Sequence, residues 1–318
     1  MEIYNRAFKE IEKAKKIFLA SHISPDGDNL GSLLAMYHYL KSLNKEVYAI
    51  EDDEIPDNLL FLPGVSDLVK SNNLEDCDLF IAIDCADMDR LSDNSKFLFQ
   101  KAKSTINIDH HNTNTEFGMI NIVDRLAPAA GEVLFYFFKS IEAKLNREIA
   151  ICLYTAISSD TGSFKYDSTR KETFEAAREL LDYEININKI AVELYQNRSL
   201  NKTNLLIKAM NTLTLYNDGK IGVVYVTEDM IKQTDAKKLD TDGIVEFLRD
   251  INGIEVALFF KIKKDSIKLS TRTKSYVDAT KIVTPFGGGG HIRAAGATLK
   301  LPYESRLKEV LELVSENL

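Results

Sequence analysis

Residue types that bind metals or transfer protons occur at four places where a short apolar segment ends. These places are His22-x-x-x-Asp26-x-Asp28, Asp84, the triplet Asp109-His110-His111, and Asp160. Carboxylate oxygens suit hard divalent cations, and manganese or iron also accepts imidazole nitrogen. Two such ions held about 3.5–4 Å apart need ligands on each side and between them. The pattern therefore predicts a dinuclear site, with six candidate ligands: His22, Asp26, Asp28, Asp84, His110 and Asp160.

Each of these residues, taken alone, also has a structural explanation. Aspartates at strand ends commonly cap helices and turns, and single histidines commonly pack in cores. Their concentration argues against that explanation, because three of the five histidines of the chain lie in these clusters. His38 lies among apolar residues and is predicted to pack there. Cys85 has no evident partner base and is predicted to be a small buried side chain.

A glycine run near the C-terminus predicts a second kind of site. It comprises Gly287, Gly288, Gly289 and Gly290, followed by His291. Glycines leave backbone N–H groups open to an anion, and a helix beginning at His291 would add its dipole. Residues 261–300 contain nine basic and two acidic residues, and Arg272 among them could bind a phosphate in a bidentate manner. These residues predict a phosphate-binding segment.

The elements that must position these residues form two patterns along the chain. Residues 1–190 alternate short apolar strands with helices, which predicts an α/β domain with a mainly parallel sheet. A helical linker is predicted over 191–204, and a smaller α/β or α+β domain over 205–318. The ligands are expected at the carboxyl ends of the strands, and the two domains are expected to flank a cleft.

Individual elements in the first domain are predicted as well. Strands are expected at 17–22, 46–50 and 79–85, with another that ends at Asp109. A helix is expected from Asn29 to about Leu43, with Asp28 as its N-cap, and another around 57–62.

Composition excludes several classes of protein. The chain has 318 residues, 45% of them hydrophobic, and a net charge of −8, with the acidic excess confined to the first 190 residues. No uncharged stretch is long enough for a membrane span, and the first residues lack a secretory pattern. Three cysteines without CxxC spacing argue against a disulfide framework or a zinc ribbon. The chain is therefore expected to be cytoplasmic, without a membrane partner. Neither a P-loop nor a dinucleotide-binding motif occurs.

Five motifs in order resemble the DHH phosphoesterase superfamily: SHISPDGDNLGS, the strand-end Asp84, IDHHN, SSDTGSF and GGGGHIRAAG. The chain is similar to its two-domain branch of oligoribonucleotide and 3′,5′-bisphosphonucleotide (pAp) phosphatases, some of whose relatives cleave cyclic di-AMP or its linear products. Manganese pyrophosphatases share the first motifs but not the GGGGH segment. The resemblance covers nearly the whole chain.

This resemblance implies roles for individual residues. The first metal would be held by His22, Asp26 and Asp84. The second would be held by Asp28, Asp84, His110 and Asp160, so that Asp84 bridges the two ions. His111 would act on the substrate, and Arg272, the glycine run and His291 would bind the nucleotide or its terminal phosphate. The implied cofactors are two divalent ions, Mn²⁺ first, with Mg²⁺ or Co²⁺ as alternatives.

The implied activity is hydrolysis of short oligoribonucleotides and pAp by a metal-activated water. Four alternatives stay open: cleavage of cyclic di-AMP or linear dinucleotides, exonuclease action on long single strands, pyrophosphate hydrolysis, and nucleotide sensing without catalysis. The sequence does not decide the preferred substrate, the cleavage polarity, the physiological metal or whether the chain forms a homodimer.

Overall fold

The computed structural model describes residues 2–318 and separates into two compact units, Met1–Asn197 and Arg198–Leu318. Each unit has its own hydrophobic cores, built from its own residues. No helix between residues 2 and 318 combines the length and apolar character that a membrane span requires.

The first unit contains a five-stranded sheet in which every neighbouring pair of strands is parallel. Its strands are β1 (Lys16–Ala20), β2 (Glu46–Ile50), β3 (Leu79–Ile83), β4 (Ser104–Asp109) and β5 (Ile120–Val123). Their spatial order is β2-β1-β3-β4-β5. The predicted parallel-sheet α/β domain is thereby confirmed. Strand β5 is absent from the sequence prediction because it is a four-residue edge strand with only alternate residues buried.

Helices cover both faces of this sheet, which explains why its middle strand, β3, is continuously apolar. In β3 all five residues are buried: Leu79, Ile81 and Ile83 face one core, whereas Phe80 and Ala82 face the other. The helices are α1 (Glu2–Lys13), α2 (Gly27–Ser42), α3 (Asp93–Lys101), α4 (Ala130–Ser140), α5 (Arg147–Asp160), α6 (Lys171–Leu181) and α7 (Ile187–Ala191).

Helix α2 lies in the middle of the larger core and packs closely against α5. Two glycines permit this approach: a Cβ at Gly31 would lie 2.6 Å from the Cys152 carbonyl oxygen, and one at Gly27 would clash with the Ser159 side chain. The N-cap of α2 is Asp26, whose carboxylate accepts from the Asn29 N–H while the Asn29 side chain accepts from the Asp26 N–H. The prediction that Asp28 caps this helix is wrong.

The connection between β2 and β3 contains three short 3-10 turns, Asp57–Leu59, Val65–Asp67 and Ser71–Asn73. The predicted helix around 57–62 is therefore reduced to the first of these turns. A left-handed Gly64 lies before the second turn and interrupts any longer helix. The unit ends in a π-helical turn, Val192–Gln196.

The second unit contains a six-stranded mixed sheet in the order β10-β11-β9-β8-β7-β6. The strands are β6 (Thr214–Tyr216), β7 (Ile221–Thr227), β8 (Val256–Ile262), β9 (Ile267–Thr273), β10 (Gly289–His291) and β11 (Ala294–Leu299). Only the β7–β8 pair is parallel among the strands described.

Helices pack on both faces of this second sheet. They are α8 (Leu200–Met210), α9 (Glu228–Gln233), α10 (Ile244–Arg249), α11 (Ala279–Val283) and α12 (Tyr303–Asn317). One core joins α8 and α10 to β7 and β8, and the other joins α11 and α12 to the opposite face. The predicted smaller α/β domain is confirmed.

Candidate metal centre

The candidate centre lies at the carboxyl edge of the first sheet, where the strand order reverses. After β1 the chain moves outward to β2, and it then returns to place β3 on the other side of β1. In open α/β sheets ligands bind at such a reversal, outside the carboxyl ends of the strands. His22 follows β1, Asp84 follows β3, and the triplet containing His110 spans the end of β4.

Asp84 lies in the middle of the cluster and is almost fully buried. Its backbone has a φ of 52°, in the left-handed region that non-glycine residues adopt at a cost. The Asp84 N–H donates to the Ile108 carbonyl oxygen at 2.9 Å, which anchors this turn to β4. One carboxylate oxygen lies 3.5 Å from His22 Nε2 and the other 3.4 Å from His110 Nε2. Asp84 thus stands between two histidines.

The first metal-binding group comprises His22, Asp26 and Asp84. One potential ligand atom from each lies within 4.8 Å of the others. His22 Nε2 lies 3.7 Å from the nearer Asp26 carboxylate oxygen. The opposite ring nitrogen, Nδ1, lies 2.8 Å from the Ile23 carbonyl oxygen, and this hydrogen bond turns Nε2 towards the carboxylates.

The second group comprises Asp28, His110 and Asp160, again with ligand atoms within 4.8 Å of one another. His110 Nε2 lies 3.6 Å from Asp28 and 3.5 Å from Asp160. His110 Nδ1 lies 3.2 Å from the Ala127 carbonyl oxygen, so this ring is also oriented through its second nitrogen.

Asp28 is fully buried and is held by the start of α4. Its carboxylate accepts hydrogen bonds from the backbone N–H groups of Ala130 at 2.7 Å and Gly131 at 2.9 Å. The Ser32 hydroxyl donates a third hydrogen bond at 3.0 Å. Two of these donors lie in α4 and one in α2 itself, and the N-cap of α2 is Asp26 instead.

His111 adjoins both groups and forms a third set with Asp84 and His110. Its Nδ1 lies 2.8 Å from the buried Asp109 carboxylate, so Nδ1 carries the proton that is donated to Asp109. Asp109 also accepts from the side-chain amide of the buried Asn114. The sequence analysis does not offer Asn114 as a site residue, because the segment that follows the triplet, NTNTEFG, resembles the superfamily only loosely.

The charges in the centre shift one another's pKa values strongly. Burial, with repulsion from Asp84 and Asp160, raises the pKa of Asp28 well above its ordinary value. Burial would also raise the pKa of Asp84, but the interactions with His110 and His22 hold it well below its usual range.

The remaining groups complete this picture. Burial opposes protonation of His22, yet Asp84 and Asp26 outweigh it and raise the pKa of His22 to about 10. Asp84 likewise raises the pKa of His110, against the effect of burial. Desolvation raises the pKa of Asp160 to about 7, with His110 opposing and Asp26 and Asp84 adding to the rise.

These six side chains fit divalent cations. Four carboxylates and two imidazoles provide the donor atoms that manganese and similar ions accept. One buried oxygen of Asp84, Oδ1, accepts no hydrogen bond and lies between the two groups, where a cation would satisfy it. The structure therefore brings together all six ligands predicted from the sequence, although their roles as ligands stay a prediction.

The predicted phosphate-binding residues lie in the second unit. Arg272 is in β9, and its Nε donates to Glu246 of α10 at 2.9 Å. The last two glycines of the run and His291 form β10, an exposed strand paired with β11. His291 therefore does not begin a helix, and the predicted helix dipole is wrong.

Three of the four glycines of this segment are required by a positive φ or by a close contact, and Gly289 is the exception. Gly287 and Gly290 have φ values of 71° and 145°. A Cβ at Gly288 would clash with the Gly296 carbonyl oxygen and lie 2.7 Å from the Ala297 Cβ. Absence of side chains thus lets β10 fold onto β11.

His38 and Cys85 belong to the packing, as predicted. The His38 Nε2 lies 2.9 Å from the Pro63 carbonyl oxygen. The Cys85 side chain is fully buried, and burial raises the pKa of its thiol well above the ordinary value, which opposes nucleophilic chemistry.

Fold and site together define a two-domain α/β protein with a carboxylate–histidine centre at the edge of a parallel sheet. The family model described as "DHH family, N-terminal domain" matches residues 16–157, and that of the DHHA1 domain matches residues 218–318. The chain belongs to the DHH family.

Three similar proteins illustrate this relationship. The bifunctional oligoribonuclease and PAP phosphatase NrnA of Thermus thermophilus is 33% identical over 98% of this chain and 94% of its own length. The protein of the same name from Bacillus subtilis is 26% identical over 89% of each chain. The crystal structure of an exopolyphosphatase-related protein from Bacteroides fragilis superposes with a TM-score of 0.93, at 26% identity, over 99% of this chain and 96% of that one.

Proposed function

We propose that this chain is a metal-dependent phosphoesterase that hydrolyses short oligoribonucleotides and pAp. The convergence of two imidazoles and three further carboxylates around Asp84 carries this proposal. The names of the Thermus thermophilus and Bacillus subtilis relatives support the choice of substrates. The three cysteines are free and buried, in keeping with the cytoplasmic location expected from the sequence.

The proposed cofactors are two divalent ions, with Mn²⁺ first and Mg²⁺ or Co²⁺ as alternatives. His22 and Asp26 would hold one ion, Asp28, His110 and Asp160 the other, and Asp84 would be shared. When bound, such ions supply positive charge for phosphoryl oxygens and make water more acidic. The mixed oxygen and nitrogen donors favour manganese over calcium, which prefers oxygen alone.

His111 is proposed to act on the substrate rather than to hold an ion. Its hydrogen bond to Asp109 fixes the ring and keeps the proton on Nδ1. Nε2 is consequently the nitrogen that can donate to, or accept from, a phosphoryl or leaving-group oxygen. The buried Asn114 holds Asp109 in turn, so the orientation of His111 is supported from behind.

The second unit is proposed to bind the nucleotide through Arg272, the glycine run of residues 287–290 and His291. Arg272 donates through Nε to Glu246 and through Nη1 to the Thr271 carbonyl oxygen, and these two bonds orient the guanidinium so that Nη2 can reach a phosphate. The backbone of β10 adds N–H groups without bulky side chains.

Charge distribution supports a short substrate. The acidic excess of residues 1–190 disfavours a long polyanion, whereas residues 261–300 carry nine basic and two acidic residues. Since only a few phosphates would be neutralised, binding should depend weakly on salt, with a slope of about −0.7 per neutralised phosphate.

A substrate panel tests the proposal. Purified protein with Mn²⁺ is incubated with pAp, RNA dimers to pentamers, a long single strand, cyclic di-AMP and pyrophosphate, and the same reactions with EDTA serve as controls. We expect EDTA-sensitive hydrolysis of pAp and of the short RNAs, falling as the RNA lengthens. Preference for cyclic di-AMP would move the function to a dinucleotide phosphodiesterase. If the protein cleaves none of these substrates, the proposal is wrong.

A further inference from the structure

A single arginine in the first unit connects two backbone segments that support the second metal-binding group. Arg170 immediately precedes α6, and its side chain is 25% exposed. Its Nε donates to Glu132 at 2.7 Å, and its Nη2 donates to Asp124 at 2.7 Å. The planar guanidinium thereby joins two carboxylates that are eight residues apart, a geometry that lysine cannot reproduce.

Asp124 belongs to a turn whose carbonyl oxygen orients His110. The Asp124 N–H donates to the Asp109 carbonyl oxygen at 3.1 Å, just after β5. Its own carbonyl oxygen accepts from the Ala127 N–H at 3.1 Å, which closes the turn. The Ala127 carbonyl oxygen then lies 3.2 Å from His110 Nδ1. Fixing Asp124 therefore fixes the group that turns His110 Nε2 towards the centre.

Glu132 belongs to the helical turn that holds Asp28. It is fully buried in the first turn of α4, directly after the two residues whose N–H groups donate to the Asp28 carboxylate. A buried carboxylate of this kind needs a paired cation, and Arg170 is the cation that pairs with it. Fixing Glu132 therefore fixes the donors that aim Asp28.

The first metal-binding group is supported differently. His22 is oriented by the Ile23 carbonyl oxygen and by Asn29, and the Asp26 carboxylate accepts from the N–H groups at the start of α2. Within residues 2–318 the hydrogen bonds and ion pairs of the Arg170 side chain reach only Asp124, Glu132 and Glu172. The link from Arg170 is thus specific to Asp28 and His110.

We propose that Arg170 is a positioning residue for the second metal ion, acting through the Asp124 turn and the start of α4 rather than by touching substrate or metal. This inference rests on the proposed metal-dependent function. Residues that orient metal ligands typically change metal affinity by about 10- to 100-fold when they are replaced. Arg170 should therefore set the affinity of one ion and leave the other unchanged.

The test measures the number and the affinity of Mn²⁺ ions bound by Arg170→Lys. This variant keeps the positive charge but cannot donate to Glu132 and Asp124 from one planar group. Its matched control is Arg178→Lys in α6, because Arg178 is 68% exposed and its ion pairs in the described chain are with Glu179 and Asp182, away from the centre. Free Mn²⁺ is measured by electron paramagnetic resonance during titration of the metal-free proteins, and thermal unfolding of the same samples reports folding.

We expect the unchanged chain and Arg178→Lys each to bind two Mn²⁺ ions. Each of the two affinities should be the same in Arg178→Lys as in the unchanged chain. Arg170→Lys should bind the first ion normally and the second about 10- to 100-fold more weakly. An unchanged second affinity, or equal weakening of both ions together with a lower unfolding temperature, would overturn the role of Arg170. If the unchanged chain itself binds fewer than two ions, the proposed dinuclear site is wrong. Failure of that proposal is therefore seen in the unchanged chain, whereas failure of the role of Arg170 is seen only in Arg170→Lys.

Discussion

The two candidate sites of this chain attract ligands by opposite means. In the first unit, buried carboxylates and imidazoles form the centre, and hydrogen bonds to neighbouring groups hold Asp28, His22 and His110 in place. In the second unit, the proposed contacts come from the backbone N–H groups of an exposed three-residue strand and from the side chains of Arg272 and His291. The buried charged site thus depends on many residues in several elements, whereas the exposed site depends on a few glycines, their partner strand and two basic side chains.

The largest effect should come from removing the shared ligand. Asp84→Ala should lower turnover by at least about 1,000-fold, because both ions lose a ligand and several kcal/mol of transition-state stabilisation is forfeited. Rates with pAp in saturating Mn²⁺ measure this. Asp89→Ala is the matched control, since its side chain is 77% exposed and pairs only with Lys96 in the described chain. Near-normal turnover in Asp84→Ala would refute the dinuclear assignment.

The corresponding change in the second unit should act on binding. Arg272→Ala should raise KM for pAp by about tenfold to 100-fold with a smaller change in kcat, since a charge-assisted hydrogen bond contributes about 1.5–3 kcal/mol. Mn²⁺ binding should be unchanged. Arg306→Ala in α12, which removes a surface pair with Glu309, is the control. A loss of bound metal in Arg272→Ala would contradict the proposal that the first unit binds the metal ions and the second unit binds the nucleotide.

Metal affinity should rise with pH, because the ligands must lose protons. The pKa of Asp160 is raised to about 7, so below pH 7 this carboxyl is mainly protonated and cannot coordinate. The pKa of His22 is raised to about 10, so this ring is protonated between pH 6 and 8 and must release a proton before it can bind a metal ion. Affinity should increase about tenfold per pH unit for each proton released. Mn²⁺ titrations at pH 6, 7 and 8 measure this increase, and an affinity independent of pH would contradict it.

The smallest effect is expected within the glycine run. Gly288→Ala should destabilise the chain by about 1–3 kcal/mol, because a methyl group would press on β11 and on the Val283 side chain. Gly289→Ala is the matched control, since nothing lies within 4 Å of a Cβ there. Thermal unfolding distinguishes the two, and equal stability would show that β10 is not packed as described.

The residues of the centre were predictable because histidine is rare in the chain and because strand ends fix the places of several of these residues. Asp84 follows a continuous apolar strand and His110 follows a buried strand, and parallel strands end at one edge of the sheet. The parallel sheet itself follows from the same segments, whose residues are buried on both faces. The roles of these residues as metal ligands stay a prediction.

The supporting groups were not predictable, since most of them are backbone atoms far away in sequence. Asp28 was mistaken for a helix cap because the donors for its carboxylate, at Ala130 and Gly131, lie about a hundred residues later. His291, the last residue of β10, was mistaken for a helix start because the pairing of β10 with β11 leaves no local pattern. Likewise, Arg170 is ordinary in sequence and is distinguished only by the two carboxylates that it joins.

The close packing of α2 on α5 determines how wide the centre can be. Asp28 follows Gly27 in α2, and Asp160 follows Ser159 in α5, so the close contact between these helices sets the spacing of the two carboxylates that are proposed to share one ion. Such a fixed spacing between the two carboxylates should select ions by their radius. It should disfavour Ca²⁺, whose oxygen ligands lie at about 2.3–2.6 Å rather than the roughly 2.0–2.1 Å of Mg²⁺. A methyl group at Gly27 or Gly31 would push α2 away from α5 and increase the distance between the two carboxylates. The centre should then bind larger ions better than the unchanged chain does.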